Sequence, residues 1–298
     1  SLNPTANPTP IITVAPSTDP TPAPTATPTM QPTRPLDLML QRFRTSPTYT
    51  IRNGFAFAAL TANNSVITWG EAAHGGDSSS VQALLGDSVN RLVSSRYAFA
   101  ATRDDGKVVM WGESAVVRGH DNQHPYSLSG LVATESSFAG VHVPTKTAFA
   151  FGSPHSGGML ASPAADVQSI TASAGAFAAL KNDLSVVAWG SEHYGGAIPS
   201  GVQSELHHVM QVVATRDAFA ARLSSGRVFA WGSPLGGGDT TTVTDKRASG
   251  VLHIVASGGV FAALKNDSSL VTWGHGPWGG DSSSVADQLS ANVSFVAH

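Results

Sequence analysis

Hydrophobic positions recur along most of this chain with one fixed period. The clearest copy starts at Ala176 and reads AFAALKNDLSVVAWG, and altered copies start at Ala56, Ala98, Ala218 and Val260. The aromatic residues that close six successive copies lie 38 to 42 residues apart, and they are Trp69, Trp111, Phe151, Trp189, Trp231 and Trp273. Such a period indicates one supersecondary unit repeated along the chain, in which no single copy buries a core alone.

Each copy predicts three short strands. A run such as FAAL is joined to a VVxWG-like run by a turn of Asn, Asp, Gly or Ser, which is the pattern of a β-hairpin. A Gly-rich loop then leads to a third run with alternating aliphatic residues, as in residues 251–255. Since no helical period lies between the strands, we expect antiparallel sheets. The chain is predicted to be all-β: a repeat β-propeller of six blades of about 41 residues, mostly three-stranded, over residues 48–298, or alternatively an open β-solenoid.

The repeated alanines favour the propeller over the solenoid. In a radial array the innermost strands converge on the axis, where only small side chains fit. We expect the Phe-Ala-Ala runs to form these strands, and the repeated Phe and Trp side chains to fill the wedges between neighbouring blades. The paired glycines of each loop permit the positive φ that a tight turn requires.

The FAAL run, the Asn/Asp-rich turn, the VVxWG run, the Gly-rich loop and the VxxIxS run together resemble the regulator-of-chromosome-condensation repeat family. The chain is most similar to the short-blade form of that family, as in beta-lactamase inhibitor protein II. The resemblance covers roughly residues 48–298, and it implies a propeller with binding surfaces on the loops at its ends. The chain has six complete copies rather than the family's seven and lacks the His of the family's inner strand, which argues against nucleotide-exchange activity.

Residues 1–35 form a Pro/Thr-rich tract. Because proline fixes φ and removes a backbone donor, we expect an extended polyproline-II-like arm that rises about 3.1 Å per residue. Thr beside Pro is typical of O-glycosylated stalks, and the candidate acceptors are Thr5, Thr9, Thr21, Thr25, Thr27, Thr29 and Thr33. Residues 36–47 have apolar positions at helical spacing and predict a short amphipathic connector.

The strand pattern predicts one unmatched strand. The third strand type occurs seven times, because one copy precedes the first hairpin at residues 48–51 and another lies at residues 292–298. A closed ring of six blades has room for only one of them, and an unpaired apolar edge is a template for another chain. Pairing between molecules gives a heterologous, growing assembly, whereas a terminal strand added to its own blade leaves no edge free. The candidate assembly residues are a Pro-flanked run in the arm, Ile11, Ile12, Thr13 and Val14, and the end residues Tyr49, Ile51, Val293, Phe295 and Val296.

Composition excludes several functions. Charged residues make up 12 % of the chain and the formal net charge is −3, so the sequence lacks the clustered basic residues that nucleic-acid binding needs. The chain contains no cysteine, which rules out disulfides and thiolate metal sites. It also contains no apolar run long enough to span a membrane.

No motif predicts a catalytic site, a cofactor or a metal centre. The Gly-Asp-Ser triplets at residues 76–78 and 280–282 recur at one position of the repeat, which indicates turns in which Asp and Ser bond to nearby backbone. His120 and His124, and the adjacent pair His207 and His208, come without a third ligand. We therefore expect a protein that is not an enzyme.

Three triplets are candidate N-glycosylation sites, at Asn63, Asn266 and Asn292, and the first two lie in equivalent turns. With the arm, the low charge and the unmatched strand, they predict a secreted structural glycoprotein. Its copies would join head to tail in an extracellular filament or surface layer, through the arm and the terminal strand. The alternative is a monomeric stalked propeller that binds a protein or a glycan through the aromatic Gly-rich loops at residues 194–196 and 277–280.

Overall fold

The computed structural model describes residues 52–113, 123–124, 127–239, 249–294 and 296. The predicted arm and connector lie outside these residues. Outside them too are the assembly candidates Ile11, Ile12, Thr13, Val14, Tyr49, Ile51 and Phe295, and the O-glycosylation candidates Thr5, Thr9, Thr21, Thr25, Thr27, Thr29 and Thr33. The assignments made for these residues stay predictions.

The described residues contain eighteen strands in six antiparallel sheets, numbered here as blades 1 to 6 in chain order. Blade 1 consists of β1 (Ala56–Leu60) and β2 (Val66–Gly70), and blade 2 of β3 (Val89–Ser94), β4 (Ala98–Arg103), β5 (Val108–Gly112) and β6 (Gln123–His124). Blade 3 consists of β7 (Leu128–Ala133), β8 (Ser137–His142) and β9 (Ala148–Gly152), and blade 4 of β10 (Val167–Ala172), β11 (Ala176–Lys181) and β12 (Val186–Gly190). Blade 5 consists of β13 (Val209–Ala214), β14 (Ala218–Leu223) and β15 (Val228–Gly232), and blade 6 of β16 (Val251–Ala256), β17 (Val260–Lys265) and β18 (Leu270–Gly274).

Short helical turns follow the outer strands. The 3-10 turns are Ala72–His74, Ser79–Leu84, Pro154–Ser156, Glu192–Tyr194, Pro234–Gly236, Gly276–Trp278 and Ser283–Val285, and one α-helical turn spans Ser200–Gln203. In the part of the chain that the structure describes, no helix has the length and apolar character needed to cross a bilayer.

The prediction of an all-β propeller with six mostly three-stranded blades is confirmed, but its inner strand was assigned wrongly. The FAAL-type strand is the middle strand of each blade, as in the order β10-β11-β12. The strands that contact one another in succession are instead β3, β7, β10, β13 and β16, so these lie nearest the axis. The alanines are small because neighbouring blades cover both faces of a middle strand, and Ala98, Ala100 and Ala101 are accordingly fully buried.

Backbone hydrogen bonds link the turns that follow the inner strands. The N–H of Arg96 donates to the carbonyl of Glu135 (3.1 Å), and the N–H of Glu135 donates to the carbonyl of Ala174 (2.8 Å). The series continues from Ala174 to Arg216 and from Arg216 to Gly258, each at 2.8 Å. Each blade is thereby held at a fixed offset from the next around the axis.

The blades pack face to face, and the interfaces between successive blades enclose separate apolar clusters. The contacts run in order from blade 1 to blade 6. Among the described residues, no extensive contact joins blade 6 to blade 1. Within these residues the array is therefore open, and a blade face lies at each of its two ends.

The repeated Gly-Asp-Ser triplets form turns, as the sequence predicted. Asp77 accepts a hydrogen bond from the backbone N–H of Ser79 at 2.8 Å, and Asp281 accepts the equivalent bond from Ser283 at 3.0 Å. These backbone N–H groups lower the pKa of both carboxyls, because they favour the charged form. The carboxylates of Asp77 and Asp281 therefore stabilise these turns.

Candidate assembly surfaces at the two ends of the propeller

One hydrogen bond recurs between successive blades. The indole Nε1 of a Trp donates to the carbonyl of a loop glycine in the preceding blade, at 3.0 to 3.1 Å. The four pairs are Trp111 with Gly75, Trp189 with Gly157, Trp231 with Gly195, and Trp273 with Gly237. A buried indole N–H needs an acceptor, so this bond fixes which loop each Trp can meet.

A Phe ring completes this joint. Phe219 stacks on Trp231 with ring centroids 5.4 Å apart, and both rings are almost fully buried. A Cβ on Gly195 would lie only 2.6 Å from Cδ2 of Phe219, so the ring occupies the space that a side chain there would need. The same close approach relates Gly237 to Phe261, at 2.8 Å.

The two faces of a blade differ, and this gives the array a direction. In β14 the side chains alternate, so Phe219 points to blade 4 while Ala218 and Ala220 point to blade 6. Ala218 and Ala220 share one apolar cluster with Phe261 and Trp273 of blade 6. We call the Phe/Trp side of a blade its aromatic face, and the side with the small residues and the loop glycine its receiving face.

Within the described residues, the aromatic face of blade 1 is uncovered. Phe57 and Trp69 stack at 5.3 Å like their counterparts, but their exposed fractions are 62 % and 50 %, against 5 % and 2 % for Phe99 and Trp111. Ile67 lies on the same face as Trp69 and is 57 % exposed. Contiguous exposed apolar surface of this kind marks an interaction site in a soluble protein.

Within the described residues, the receiving face of blade 6 is covered only in part, by Val293 and Val296. A cavity of about 200 Å³ lies beside Gly279 and is lined by Val255, Val260, Ala262, Trp278 and Val296. In the described part of the chain, no atom lies within 4 Å of the position where a Cβ on Gly279 would stand. The equivalent glycines of other blades contact a Phe of the next blade. A second cavity of about 360 Å³ adjoins Thr272 and Gly280 on this face.

The turn after blade 6 has the backbone geometry of the turns that precede the inner strands. Asn292 has a φ of +64°, as Asp166 and His208 do with +58° and +57° immediately before β10 and β13. The N–H of Val293 donates to Ser268 at 2.9 Å, as the N–H of Val209 donates to Leu184. Blade 1 has two strands within the described residues and contains none of this inner type there.

The structure brings together only part of the predicted assembly set. Val293 and Val296 pack against the cluster of Val255 and Leu264 at the receiving face of blade 6. The glycosylation candidates Asn63, Asn266 and Asn292 are exposed. Asn63 and Asn266 lie in equivalent hairpin turns but at different positions, because Asn63 aligns with Asp267.

Sequence reasoning missed the principal residues of both faces, Phe57, Trp69 and Gly279. Their sequences match those of the internal copies, so nothing local separates them. The signal was positional: among the described residues, no loop of another blade precedes blade 1, and no Phe and Trp of another blade follow blade 6.

The two aromatic Gly-rich loops proposed to bind a protein or a glycan, at residues 194–196 and 277–280, differ in solvent exposure. Tyr194 is half-buried and packs on the cluster between blades 4 and 5, where it meets the backbone at Gly175. Trp278 is 63 % exposed and contacts His275 in a tilted arrangement, with ring centroids 4.3 Å apart. Only the loop at residues 277–280 therefore presents a free aromatic surface among these two.

The described titratable side chains were predicted to form turns or to lie apart from one another. In the residues that the structure describes, no three His, Asp or Glu side chains cluster as a metal site would require. His207 and His208 meet edge to face at 5.6 Å, and His120 lies outside the described residues. The hydroxyl and N–H of Ser185 lower the pKa of Asp183 to about 2, which serves a hairpin turn.

No protein-family model matches the chain, and no curated protein matches it. Among solved structures, the chain is similar to the ectodomain of the receptor kinase CR4 from Physcomitrella patens, with 17 % identity and a TM-score of 0.49, over 77 % of this chain and 62 % of that one. It is also similar to the CRINKLY WD40 ectodomain of the receptor kinase ACR4 from Arabidopsis thaliana, with 15 % identity and a TM-score of 0.48, over 74 % and 77 %. A third is Prp20p from Saccharomyces cerevisiae, with 14 % identity and a TM-score of 0.47, over 76 % and 71 %. The propeller assignment itself rests on the strand order and the blade contacts of this chain.

Proposed function

We propose that this chain is a non-enzymatic, secreted structural glycoprotein whose copies join head to tail in an extracellular filament or surface layer. The observation that carries the proposal is the backbone hydrogen bond of Val293 to Ser268, which matches the bond at the start of inner strand β13, while blade 1 has only two described strands. An inner strand at one end and a short sheet at the other are complementary edges.

Complementary edges at opposite ends of one molecule favour a heterologous contact. Such a contact repeats without closing, because each added copy presents the same free edge again. The low charge supports this assembly, since a net charge of −3 over 298 residues opposes association only weakly. In the proposal, the Pro/Thr-rich arm at residues 1–35 carries O-linked sugars and contacts a neighbouring copy.

The test compares the full chain with a form that lacks residues 1–35. We expect negative-stain microscopy to show polymers of the full chain and dispersed propellers after the deletion, with the thermal unfolding midpoint of the propeller unchanged. The arm has no assembly role if the shortened chain polymerises normally. Mass spectrometry of material from the native source tests the sugars, and unmodified Thr and Asn residues would contradict the glycoprotein assignment.

A second function has its own supporting observation, which is the exposure of two apolar side chains in the end loops. Trp278 is 63 % exposed and Leu235 is 73 % exposed. Both suit a monomeric propeller that holds a protein or glycan partner against its loops. Light scattering at high protein concentration discriminates the two functions, because this alternative requires one monomer peak.

A further inference from the structure

We propose that blade 1 of one copy docks on blade 6 of a second copy, with Phe57 and Trp69 entering the cavity beside Gly279. The inference rests on the self-association proposed above and names its surfaces. In this arrangement the contact between molecules repeats the joint that links successive blades within one chain.

The loop of the receiving face supports this pairing. Residues 75–81 and 279–285 have the same sequence, GGDSSSV. In blade 1, blade 2 covers this loop, and Val81 is 1 % exposed. In blade 6 the equivalent Val285 is 39 % exposed. The same loop is therefore covered by a following blade in blade 1, whereas in blade 6 the described residues supply no such blade.

The aromatic face of blade 1 has the composition that this loop already receives. Blade 2 presents Phe99, Ala101, Val109 and Trp111 to the loop of blade 1. Strand register places Phe57, Ala59, Ile67 and Trp69 at the equivalent positions of blade 1. Every residue in the second set is identical to its counterpart except Ile67, which is larger than Val109 by one methylene.

A second copy fits the receiving face better than a pairing of two aromatic faces. Two aromatic faces in contact would leave the carbonyl of Gly279 without an indole donor and the cavities of about 200 and 360 Å³ unfilled. Filling a cavity with a complementary face restores both dispersion contacts and the buried hydrogen bond. The proposed partner is therefore a second copy of this chain, and the contact is heterologous because it joins two different faces.

The joint also specifies one hydrogen bond between molecules, from Trp69 Nε1 to the carbonyl of Gly279. Replacing Trp69→Phe keeps an aromatic ring and removes the donor. Loss of this one hydrogen bond should weaken the association of two copies by about tenfold. Because Trp69 contacts no preceding blade in the described structure, the thermal unfolding midpoint of the dissociated protein should not change.

The closing experiment uses two blocked variants of the full chain. Trp69→Arg blocks the aromatic face, and Ala262→Arg places a charge in the cavity of the receiving face. Leu235→Arg changes an exposed apolar residue that follows blade 5, outside both faces, and is the control. Light scattering coupled to size exclusion measures the mass of each variant alone and of an equimolar mixture of the two blocked forms. If Ala262→Arg lowers the unfolding midpoint, Val285→Arg on the same face replaces it.

We expect the wild type and the control to polymerise, each blocked variant to stay monomeric, and the mixture to form a dimer with one copy of each. Only a heterologous contact predicts that dimer, because each variant retains the face that the other lacks. Polymers of both blocked variants would overturn this joint while leaving self-association intact. A dimer of Ala262→Arg alone would indicate paired aromatic faces and overturn it as well. A monomeric wild type would overturn both this joint and the filament.

Discussion

At the scale of single residues, each loop glycine meets two separate requirements, one of backbone conformation and one of space. Gly195 has a φ of +90°, a conformation that L side chains rarely adopt. Its missing side chain also makes room for the Phe219 ring of the next blade. The same residue therefore ends a 3-10 turn and accepts the next blade, which explains why a glycine pair follows nearly every turn of this type in the chain.

This dual role predicts the cost of adding one methyl group. Gly195→Ala should lower the free energy of unfolding by about 1 to 3 kcal/mol, from backbone strain alone, and by more where Phe219 must shift. Urea titration monitored by Trp fluorescence measures the difference. Gly201→Ala is the control, since no atom of the described residues lies within 4 Å of its added Cβ. An equal effect of the two substitutions would contradict the assigned role.

At the scale of the strands, polar side chains fix the offset between inner strands. The side chain of Gln211 in β13 donates to the carbonyl of Ile254 in β16 at 2.8 Å and accepts from its N–H at 3.1 Å. His253 precedes this contact on β16. Burial, and then the charge of Arg222, lower the pKa of His253 from 6.5 to about 4.

The lowered pKa of His253 predicts an acid-sensitive contact between blades 5 and 6. Below about pH 6.5 the unfolded chain binds a proton at this residue, whereas the folded chain does so only near pH 4. Stability should therefore fall as the pH decreases through this window. His253→Gln should flatten that part of the profile of unfolding midpoint against pH. Exposed His155→Gln is the control, and an unchanged slope in His253→Gln would contradict the prediction.

At the scale of the whole molecule, the described residues form an open series of blades whose stability comes from contacts between neighbouring blades. An internal blade is covered on both faces, whereas within these residues blade 1 has one exposed face and blade 6 has one face that is only partly covered. In repeat arrays of this kind, the end units open at lower free energy than the internal ones.

Hydrogen exchange should show this gradient. The amides of β1 and β2 should exchange faster than those of β11 and β14 in the dissociated protein. Mass spectrometry of peptides after timed labelling measures the rates. Assembly should slow exchange in blade 1 and blade 6 and leave blades 3 and 4 unchanged. Equal amide protection in all six blades of the dissociated protein would contradict the exposure of the aromatic face of blade 1 and the receiving face of blade 6.

The repeat made much of the fold predictable from sequence. Strand identity, hairpin pairing and the period follow from local alternation and turn chemistry, because a hairpin of this size is decided by residues close in the chain. The expected turn role of Asp77 and Asp281 was confirmed for the same reason. The FAAL-type strand was wrongly assigned to the propeller axis. Small residues are suited both to strands near the axis and to a middle strand that neighbouring blades cover on both faces, so amino-acid composition alone does not distinguish the two positions.

The sequence alone determined that this chain is built from repeated all-β units, since each copy carries its own strand and turn signals, and it favoured a propeller over an open β-solenoid. Tertiary structure decided which copies are complete. Phe57 and Phe177 have nearly identical local sequences, yet one is 62 % exposed and the other fully buried. The difference depends on whether another blade precedes them in space. Burial is a property of neighbours, so only the assembled array could reveal the two faces on which the proposed association depends.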